Sequence, residues 1–368
     1  MRKTNLIALS VLAIILSDCS STKPDQTGTR ETIERQQRPG PPGQGPGGPG
    51  AGGASRNNPE ADNQAGDTFT INLDGSDCDV DIEAKLGTSS VYQETIDQAN
   101  NLRKISINSI ANHSVGEFPN PGNPNTIKES QGNFNIPLNP KVASQTTSAQ
   151  GFDSGVLFSG VSIDPFTAEM FIGTDGQMNP QYNITTLTST ENLGLDCNNA
   201  HVQPTGKYHY HGTPSAFLDD LEVDGTEMIK IGYASDGFPL YYKFGYNENG
   251  ALVAHESGYK LKEGERGGDG KSAPDGPFNG RYFSDYEYDS GLSALDACNG
   301  RWGKTPESEN EYYYVVTDNF PSVPLCFSGT PSAELRKGGG RNGQRPTRGP
   351  GSRPRGGNRG NGGIADAD

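Results

Sequence analysis

Apolar and polar residues alternate in short segments through the middle of the chain. Successive side chains of a β-strand point to opposite faces, so this alternation indicates strands with one buried face. The segments are also rich in the β-branched and aromatic residues that strands favour. They are residues 68–73, 104–110, 155–163, 228–234, 239–244 and 312–317. We predict a strand in each.

A different pattern at residues 214–221 predicts a short helix. Pro214 suits the first helical position, and Thr213 has the side chain of an N-cap residue. Gly, Asn, Asp and Pro separate the other segments. The chain is therefore expected to form a mainly β, single domain with long ordered loops and one or two short helices. No internal repeat is evident.

Composition separates the two ends of the chain from this domain. Residues 20–66 include the run QQRPGPPGQGPGGPGAGG and hold few apolar side chains. Such a segment cannot bury enough surface to offset the entropy lost on ordering. Residues 333–368 are again rich in Gly and carry many Arg residues. We predict a disordered Pro/Gly-rich tether at 20–66, a folded domain at 67–332 and a disordered Arg/Gly-rich tail at 333–368.

The first 19 residues have the pattern of an export signal. Two basic residues precede an apolar run at residues 6–16, which is shorter than the roughly 20 residues that span a bilayer. The sequence Leu16-Ser-Asp-Cys19 resembles a bacterial lipoprotein box, although Asp18 departs from the small residue usual before the cysteine. The resemblance implies that Cys19 is lipidated and anchors the protein in a lipid bilayer, at the outer membrane. A secreted product is the alternative.

The predicted domain is strongly acidic. Residues 67–332 hold 15 Lys and Arg against 36 Asp and Glu, a net charge of −21, whereas the whole chain carries −15. A field of this sign repels nucleic acid. A nucleotide partner is equally unsupported, because the chain has no phosphate-binding glycine pattern followed by Lys and Ser or Thr. An envelope polymer or a protein is the expected partner.

Four cysteines remain once Cys19 is set aside. In an exported chain, Cys78, Cys197, Cys298 and Cys326 predict two disulfides. Three connectivities are open. We prefer Cys298 with Cys326, and Cys78 with Cys197.

Three of the five histidines lie within residues 200–214, AHVQPTGKYHYHGTP. On a strand, His209 and His211 project from one face and the flanking tyrosines from the other. His201 can return to the same face through the turn that follows it. A His-x-His pair with a third imidazole is a ligand pattern of zinc and copper sites. His113 is the candidate that would complete the set.

This stretch resembles the hallmark of the YHYH-domain family of exported bacterial proteins. Three further segments resemble that family: residues 108–125, the sequence DGFPLY at 236–241, and LDACNGR at 295–301 with TPE at 305–307. Where relatives often repeat Tyr-His-Tyr, this chain has Tyr313 in the central position. The resemblance spans residues 67–332, and it implies no established activity.

The candidate site leaves two interpretations open. In the first, zinc, or copper as the alternative, is held by His113, His201, His209 and His211, and Asp236 or Glu307 is a catalytic base for hydrolysis. In the second, the protein is not an enzyme, and its histidines and tyrosines form a scaffold that binds an envelope or extracellular partner. Asp236 also suits a simple turn. His255 lies outside every motif and is expected at the surface.

Overall fold

The computed structural model describes residues 69–188 and 192–337 of the chain. The predicted signal with Cys19, the tether at 20–66 and the tail beyond residue 337 lie outside the described residues. None of the described helices has both the length and the apolar character needed to cross a bilayer.

The described residues form a mainly β structure, as predicted. In chain order the strands are β1 (Tyr92–Asp97), β2 (Leu102–Ile107), β3 (Gly132–Pro137), β4 (Thr147–Ser148), β5 (Gly155–Leu157), β6 (Ser162–Ile163), β7 (Met170–Ile172), β8 (Met178–Asn183), β9 (Ala200–Val202), β10 (Tyr208–Tyr210), β11 (Lys230–Ala234), β12 (Pro239–Tyr242), β13 (Phe244–Tyr246), β14 (Leu252–Ala254), β15 (Tyr259–Leu261), β16 (Tyr286–Tyr288), β17 (Gly300–Gly303), β18 (Glu311–Val316) and β19 (Cys326–Phe327).

The helices are short. Two are α-helical, α1 (Ile82–Leu86) and α2 (Ser215–Asp220), and four are single 3₁₀ turns, Gly75–Asp77, Gln98–Asn100, Phe283–Asp285 and Ala333–Leu335. The helix predicted at 214–221 is thus present as α2, but its predicted cap is wrong. Thr213 Oγ1 donates to the carbonyl of Thr317, and the Ala216 N–H in the first turn of α2 instead donates to Asn198 Oδ1.

An eight-stranded sheet forms the centre of the fold, in the order β17-β18-β12-β11-β5-β6-β10-β9. This order contains the same four-strand unit twice. The N-terminal unit is β5-β6-β10-β9, and the C-terminal unit is β11-β12-β18-β17. In each unit the three successive pairings are antiparallel, parallel and antiparallel. The units meet through the antiparallel pair β5 and β11.

The strand registers of the two units agree over the pairs that both contain, and the C-terminal unit adds a register shift in β11 between Lys230 and Gly232. Matching them makes these positions equivalent: Gly155 and Gly232, Ile163 and Leu240, His201 and Arg301, Tyr208 and Tyr312, His209 and Tyr313, Tyr210 and Tyr314. The joining pair Val156 and Tyr233 also joins equivalent positions. The expectation of no internal repeat is therefore wrong: the sheet is a duplicated unit related by a pseudo-twofold axis.

The turns of the two units repeat as well. Gly160 and Gly237 occupy equivalent turn positions with φ of 79° and 92°, a backbone region in which glycine is favoured. Before the outer hairpins, Asp196 and Asp296 each accept two backbone N–H groups on Oδ1. Their Oδ2 atoms accept from Tyr208 and Tyr312, both at 2.7 Å. We call each of these carboxylate–phenol contacts an Asp–Tyr clasp.

One face of the sheet carries the main hydrophobic core. The tyrosines of both clasps pack there with aliphatic residues of the central strands and with α2. The middle of the opposite face is covered by the three-stranded sheet β1-β2-β3, whose Ile105, Ile107 and Ile136 contact Val156 and Tyr233. The two ends of this opposite face are built differently. The histidines lie at one end, and an apolar cluster around Tyr313 and Val315 lies at the other.

Two disulfides join distant parts of the chain, in the pairing that we preferred from the sequence. Cys78 is bonded to Cys197 with Cα atoms 5.7 Å apart, and Cys298 to Cys326 with Cα atoms 4.9 Å apart. Each lies beside one clasp, since Cys197 follows Asp196 and the Cys298 N–H donates to Asp296.

The structure corrects two predicted boundaries. Residues 69–73 form no strand beyond a single bridge from Phe69 to Thr188, because the Asn72 N–H donates to the side chain of Asn199 instead of to a neighbouring strand. At the other end, the folded structure continues to Lys337, past the predicted end of the domain at 332. Leu335 is buried against the second face of the sheet, which holds this segment in place.

Candidate metal centre

The three histidines of the hallmark stretch converge on one end of the sheet. β9 and β10 form an antiparallel hairpin in which His201 is directly opposite His209. His211 follows two residues after His209 and so returns to the same face. Tyr208 and Tyr210 point into the core on the other face. The predicted division of histidines and tyrosines between two faces is confirmed.

The distances within this group suit a shared metal ion. The three ring centroids lie 4.7 to 4.8 Å from one another, and one nitrogen from each ring lies within 4.8 Å of the other two. The Nε2 atoms of His201 and His211 are 3.1 Å apart. Zinc–nitrogen bonds of about 2.0–2.1 Å in a tetrahedral arrangement place two ligand nitrogens about 3.3 Å apart. The group is therefore close to ligand geometry.

Backbone carbonyls lie beside the Nδ1 atoms of two of the three rings. His201 Nδ1 lies 2.9 Å from the Leu193 carbonyl, and His209 Nδ1 lies 3.4 Å from the Lys207 carbonyl. His211 Nδ1 makes no hydrogen bond of normal geometry within the described residues, but the Asp164 and Pro165 carbonyls are near enough to favour its protonation. A carbonyl acceptor at Nδ1 fixes the tautomer that leaves Nε2 free to bind a metal.

Burial keeps all three imidazoles neutral. It lowers the pKa of His201, and it holds the pKa values of His209 and His211 well below their usual value. The neighbouring imidazoles lower the latter two further, because each would repel a second positive charge. Neutral imidazole is the form that binds a metal, so the site is ready for one at neutral pH.

Two ion pairs, each with a buried aspartate, lie beside the histidines. Lys207 is paired with Asp153, and Lys337 is paired with Asp164, whose own N–H donates to the Tyr210 carbonyl. Burial raises the pKa of Asp164 to about 6, and Lys337 opposes this shift. Lys337 comes from the last described residues, so the C-terminal segment completes the surroundings of the site.

Two polar atoms near the histidines lack a partner among the described residues. Ser162 is the cross-strand neighbour of His209 in the parallel pair, which places its side chain on the same face, and its buried Oγ makes no hydrogen bond. Asp153 Oδ1 is likewise buried and unbonded. Buried polar atoms are nearly always satisfied, so these two indicate that the site holds a further group.

His113 does not join the three histidines, which corrects the expected set of four. Its ring packs against Tyr210 and Phe217 on the core face. Its Nε2 is 2.6 Å from Tyr210 Oη, and its Nδ1 is 2.8 Å from the Ser114 carbonyl. Both nitrogens are therefore engaged, and burial lowers the pKa of His113 to about 4. This histidine orients a core tyrosine.

The two carboxylates predicted as bases are engaged in the C-terminal unit. Asp236 Oδ2 accepts from Tyr314 Oη at 2.6 Å and from the Gly329 N–H at 2.8 Å. Glu307 accepts from Tyr241 and forms an ion pair with Lys230. Asp236 thus has a structural role equivalent to that of Ser159, which contacts Tyr210 in the other unit. The carboxylates beside the histidines are Asp153 and Asp164.

Sequence reasoning missed these two carboxylates and their lysines. Lys207 lies within the hallmark stretch, so its position was a usable signal. Asp153, Asp164 and Lys337 reach the site through long-range pairing of strands and of the C-terminal segment, for which the sequence carries no local signal. His255, expected at the surface, is also buried, and its Nε2 lies 3.2 Å from Arg301 Nη1.

Comparison with known proteins places this site in a family. The profile of the YHYH protein family matches residues 133–329, more than half of the chain. The chain therefore belongs to this family, and the match contains both four-strand units and all three converging histidines. Segment 108–125, with His113, lies outside it. No curated protein and no solved structure matches the chain.

Proposed function

We propose that this protein is an exported, envelope-anchored metal-binding protein that holds one zinc ion through Nε2 of His201, His209 and His211. One observation carries the proposal: three neutral imidazoles converge, and carbonyl groups lie beside Nδ1 of His201 and His209. Three imidazoles suit zinc first and copper second.

Three protein ligands also indicate what the metal would do. Structural zinc sites normally have four protein ligands, whereas catalytic sites have three and keep a position for substrate or water. Zinc in such a site supplies Lewis-acid chemistry for hydrolysis. Asp153 and Asp164 are the groups of this chain that can accept a proton there, and Lys207 and Lys337 hold them in place. We therefore propose metal-assisted hydrolysis of an envelope or extracellular substrate as the activity.

Elemental mass spectrometry tests metal binding directly. The full chain, expressed with its export signal and purified without chelator, should contain about one zinc or copper ion, and the analysis identifies which. His209→Gln combined with His211→Gln should lose it. His255→Gln is the matched control, because it alters a buried histidine of the other unit and should keep the ion. A metal-free native protein that also binds neither ion after reconstitution would overturn the proposal.

A second candidate function rests on the 3.1 Å contact between His201 and His211, which two neutral imidazoles can make as a direct hydrogen bond. In that case the histidines are a structural part of a non-enzymatic scaffold that binds a polymer or protein partner. The same experiment distinguishes the metal-binding protein from the scaffold, since a scaffold would contain no metal and would retain its fold when treated with a chelator.

The envelope anchor is a separate proposal, supported by the lipoprotein-like sequence around Cys19. Cys19→Ala should release the protein from the membrane fraction and abolish incorporation of labelled fatty acid. Continued sedimentation of the variant with outer membranes would exclude lipidation as the anchor and leave a secreted or otherwise attached protein.

A further inference from the structure

The C-terminal unit has its own group of polar side chains where the N-terminal unit has its histidines. Arg301 and Tyr313 occupy the positions equivalent to His201 and His209, and His255 reaches them from the loop after β14. We propose that Arg301 and Tyr313, with His255 behind them, form a binding site for a small carboxylate.

The hydroxyl of Tyr313 is the observation that points to a ligand. The side chain is fully buried, and its Oη makes no hydrogen bond within the described residues. The four tyrosines that flank this position and its equivalent His209, Tyr208, Tyr210, Tyr312 and Tyr314, all have partners for their hydroxyl groups. A buried hydroxyl without a partner is costly, so this one is placed for a group that the chain does not supply.

Two glycines lie against this hydroxyl. A Cβ at Gly245 would lie 3.0 Å from His255 Nε2 and 3.2 Å from Tyr313 Oη. A Cβ at Gly303 would lie 3.5 Å from both Arg301 Nε and Tyr313 Oη. Any larger residue at either position would project its side chain into the region shared by the guanidinium, the imidazole and the phenol. Glycine at both positions keeps side chains out of this region.

The polar groups around this space favour a negatively charged acceptor. Arg301 is half-buried, and a guanidinium offers five N–H donors, of which Nη1 reaches His255. Burial, together with the Arg301 charge, lowers the pKa of His255 to about 4, so this ring is neutral and accepts from Arg301. Among the described residues, the remaining donors of Arg301 and the Tyr313 hydroxyl make one further contact, of 3.4 Å from Arg301 Nε to the Trp302 carbonyl. Charge-assisted bonds to a carboxylate satisfy them best.

Nearby acidic groups limit the charge of the ligand. Glu311 lies close enough to influence Tyr313, and it accepts a hydrogen bond from Thr305. Glu307 is neutralised by Lys230 on the far side of Tyr241. Arg301 is thus the single positive charge that acts on Tyr313, and Glu311 opposes it, which suits a monoanion such as a carboxylate better than a phosphate dianion.

Thermal unfolding of the full chain in acetate tests the proposal, with chloride at equal ionic strength as reference. Without acetate, Tyr313→Phe should melt above the wild type, because the unpartnered hydroxyl is gone. With acetate, the wild type should gain stability and the order should reverse. The acetate Kd of Tyr313→Phe should be weaker by at least about tenfold, the loss of one hydrogen bond to a charged group.

Two further variants complete the test. Arg301→Gln should abolish the response to acetate, whereas Trp302→Phe, at an exposed side chain on the other face of the same strand, should respond as the wild type does. The proposal is overturned if acetate has no effect on the wild type up to saturating concentration, or if Arg301→Gln and Tyr313→Phe respond like the wild type. Stabilisation by inorganic phosphate but not by acetate would overturn the assignment to carboxylates.

Discussion

The two four-strand units share one backbone and one core face but differ on the other face. Both have an Asp–Tyr clasp of 2.7 Å, a disulfide beside it and a second tyrosine two residues along the strand. On the opposite face, the N-terminal unit has His209 and His211, where the C-terminal unit has Tyr313 and Val315. The shared features build the core, so they are constrained in both units. The two proposed binding sites lie on the face that is free to differ.

Substitutions in the two Asp–Tyr clasps should lower the free energy of unfolding the most, and by different amounts in the two units. Asp296 accepts three hydrogen bonds, whereas Asp196 accepts a fourth from the Gly116 N–H at 3.0 Å. Replacing either by Ala leaves buried donors unsatisfied and should lower the free energy of unfolding by about 3–5 kcal/mol, with Asp196→Ala the more costly by about 1 kcal/mol. Urea denaturation measures both. Negligible losses would show that the clasps do not stabilise the fold, and equal losses would show that the hydrogen bond from the Gly116 N–H to Asp196 contributes nothing.

Metal removal should affect only the N-terminal unit. A ligand that binds the folded state alone stabilises it by about 4 kcal/mol at a free concentration 1,000 times its Kd. Chelation should therefore lower the unfolding free energy of the wild type by an amount of this order. The His209→Gln, His211→Gln double variant should be insensitive to chelator. An equal response of both proteins would place the metal elsewhere.

The turn between β11 and β12 contains Asp236, whereas the equivalent turn between β5 and β6 contains Ser159. The contribution of this turn to the free energy of unfolding should therefore depend on pH in the C-terminal unit only. Burial raises the pKa of Asp236 to about 6, above the value near 3.8 that an unfolded chain has. A raised pKa contributes stability below pH 4 that is lost as pH rises to 6, by up to about 3 kcal/mol. The wild type should therefore lose stability relative to Asp236→Asn across this window.

Ser159 is the matched control for that prediction, because it occupies the equivalent position and does not titrate in this range. The stability difference between Ser159→Ala and the wild type should be constant from pH 4 to pH 6. Urea denaturation at each pH measures the stability difference between Asp236→Asn and the wild type. If this difference does not change from pH 4 to pH 6, the assignment of this carboxyl as a buried acid is contradicted.

Substitutions in β9 and β17, the outer strands of the sheet, should give the smallest difference in stability between the two units. Val202 is buried, whereas Trp302, at the equivalent position, is 56% exposed. Val202→Ala should cost about 1–2 kcal/mol through the lost packing, and Trp302→Ala should change stability by less than about 0.5 kcal/mol. Thermal or urea unfolding of the two variants tests this. A larger loss for Trp302→Ala would mean that the exposed ring is covered by a partner in solution.

The sequence predicted much of this structure where the signal is local. Alternation placed β2, β11, β12 and β18, and it separated His209 and His211 from the neighbouring tyrosines. The prediction failed where distant residues decide the outcome. Residues 69–73 look like a strand, but the Thr70 N–H finds the Leu187 carbonyl and Asn72 finds Asn199, so no ladder forms.

The duplication was hidden for a related reason. The units share a clasp, a glycine turn and a pattern of pairing, but these identical residues are widely spaced and the residues between them differ, since Ser159 matches Asp236 and His201 matches Arg301. Their loops also differ in content, and β13 to β16 are inserted only in the C-terminal unit. His113 was misassigned because a histidine in a loop has the same sequence signal whether it binds a metal or a tyrosine hydroxyl.

X-ray absorption spectroscopy at the metal edge of the reconstituted full chain tests the central claim most directly. If His201, His209 and His211 hold a metal ion, the spectrum should show three imidazole ligands at about 2.0–2.1 Å and no sulfur, with one further light-atom ligand. Fewer than two imidazoles, or a sulfur ligand near about 2.3 Å, would contradict this account.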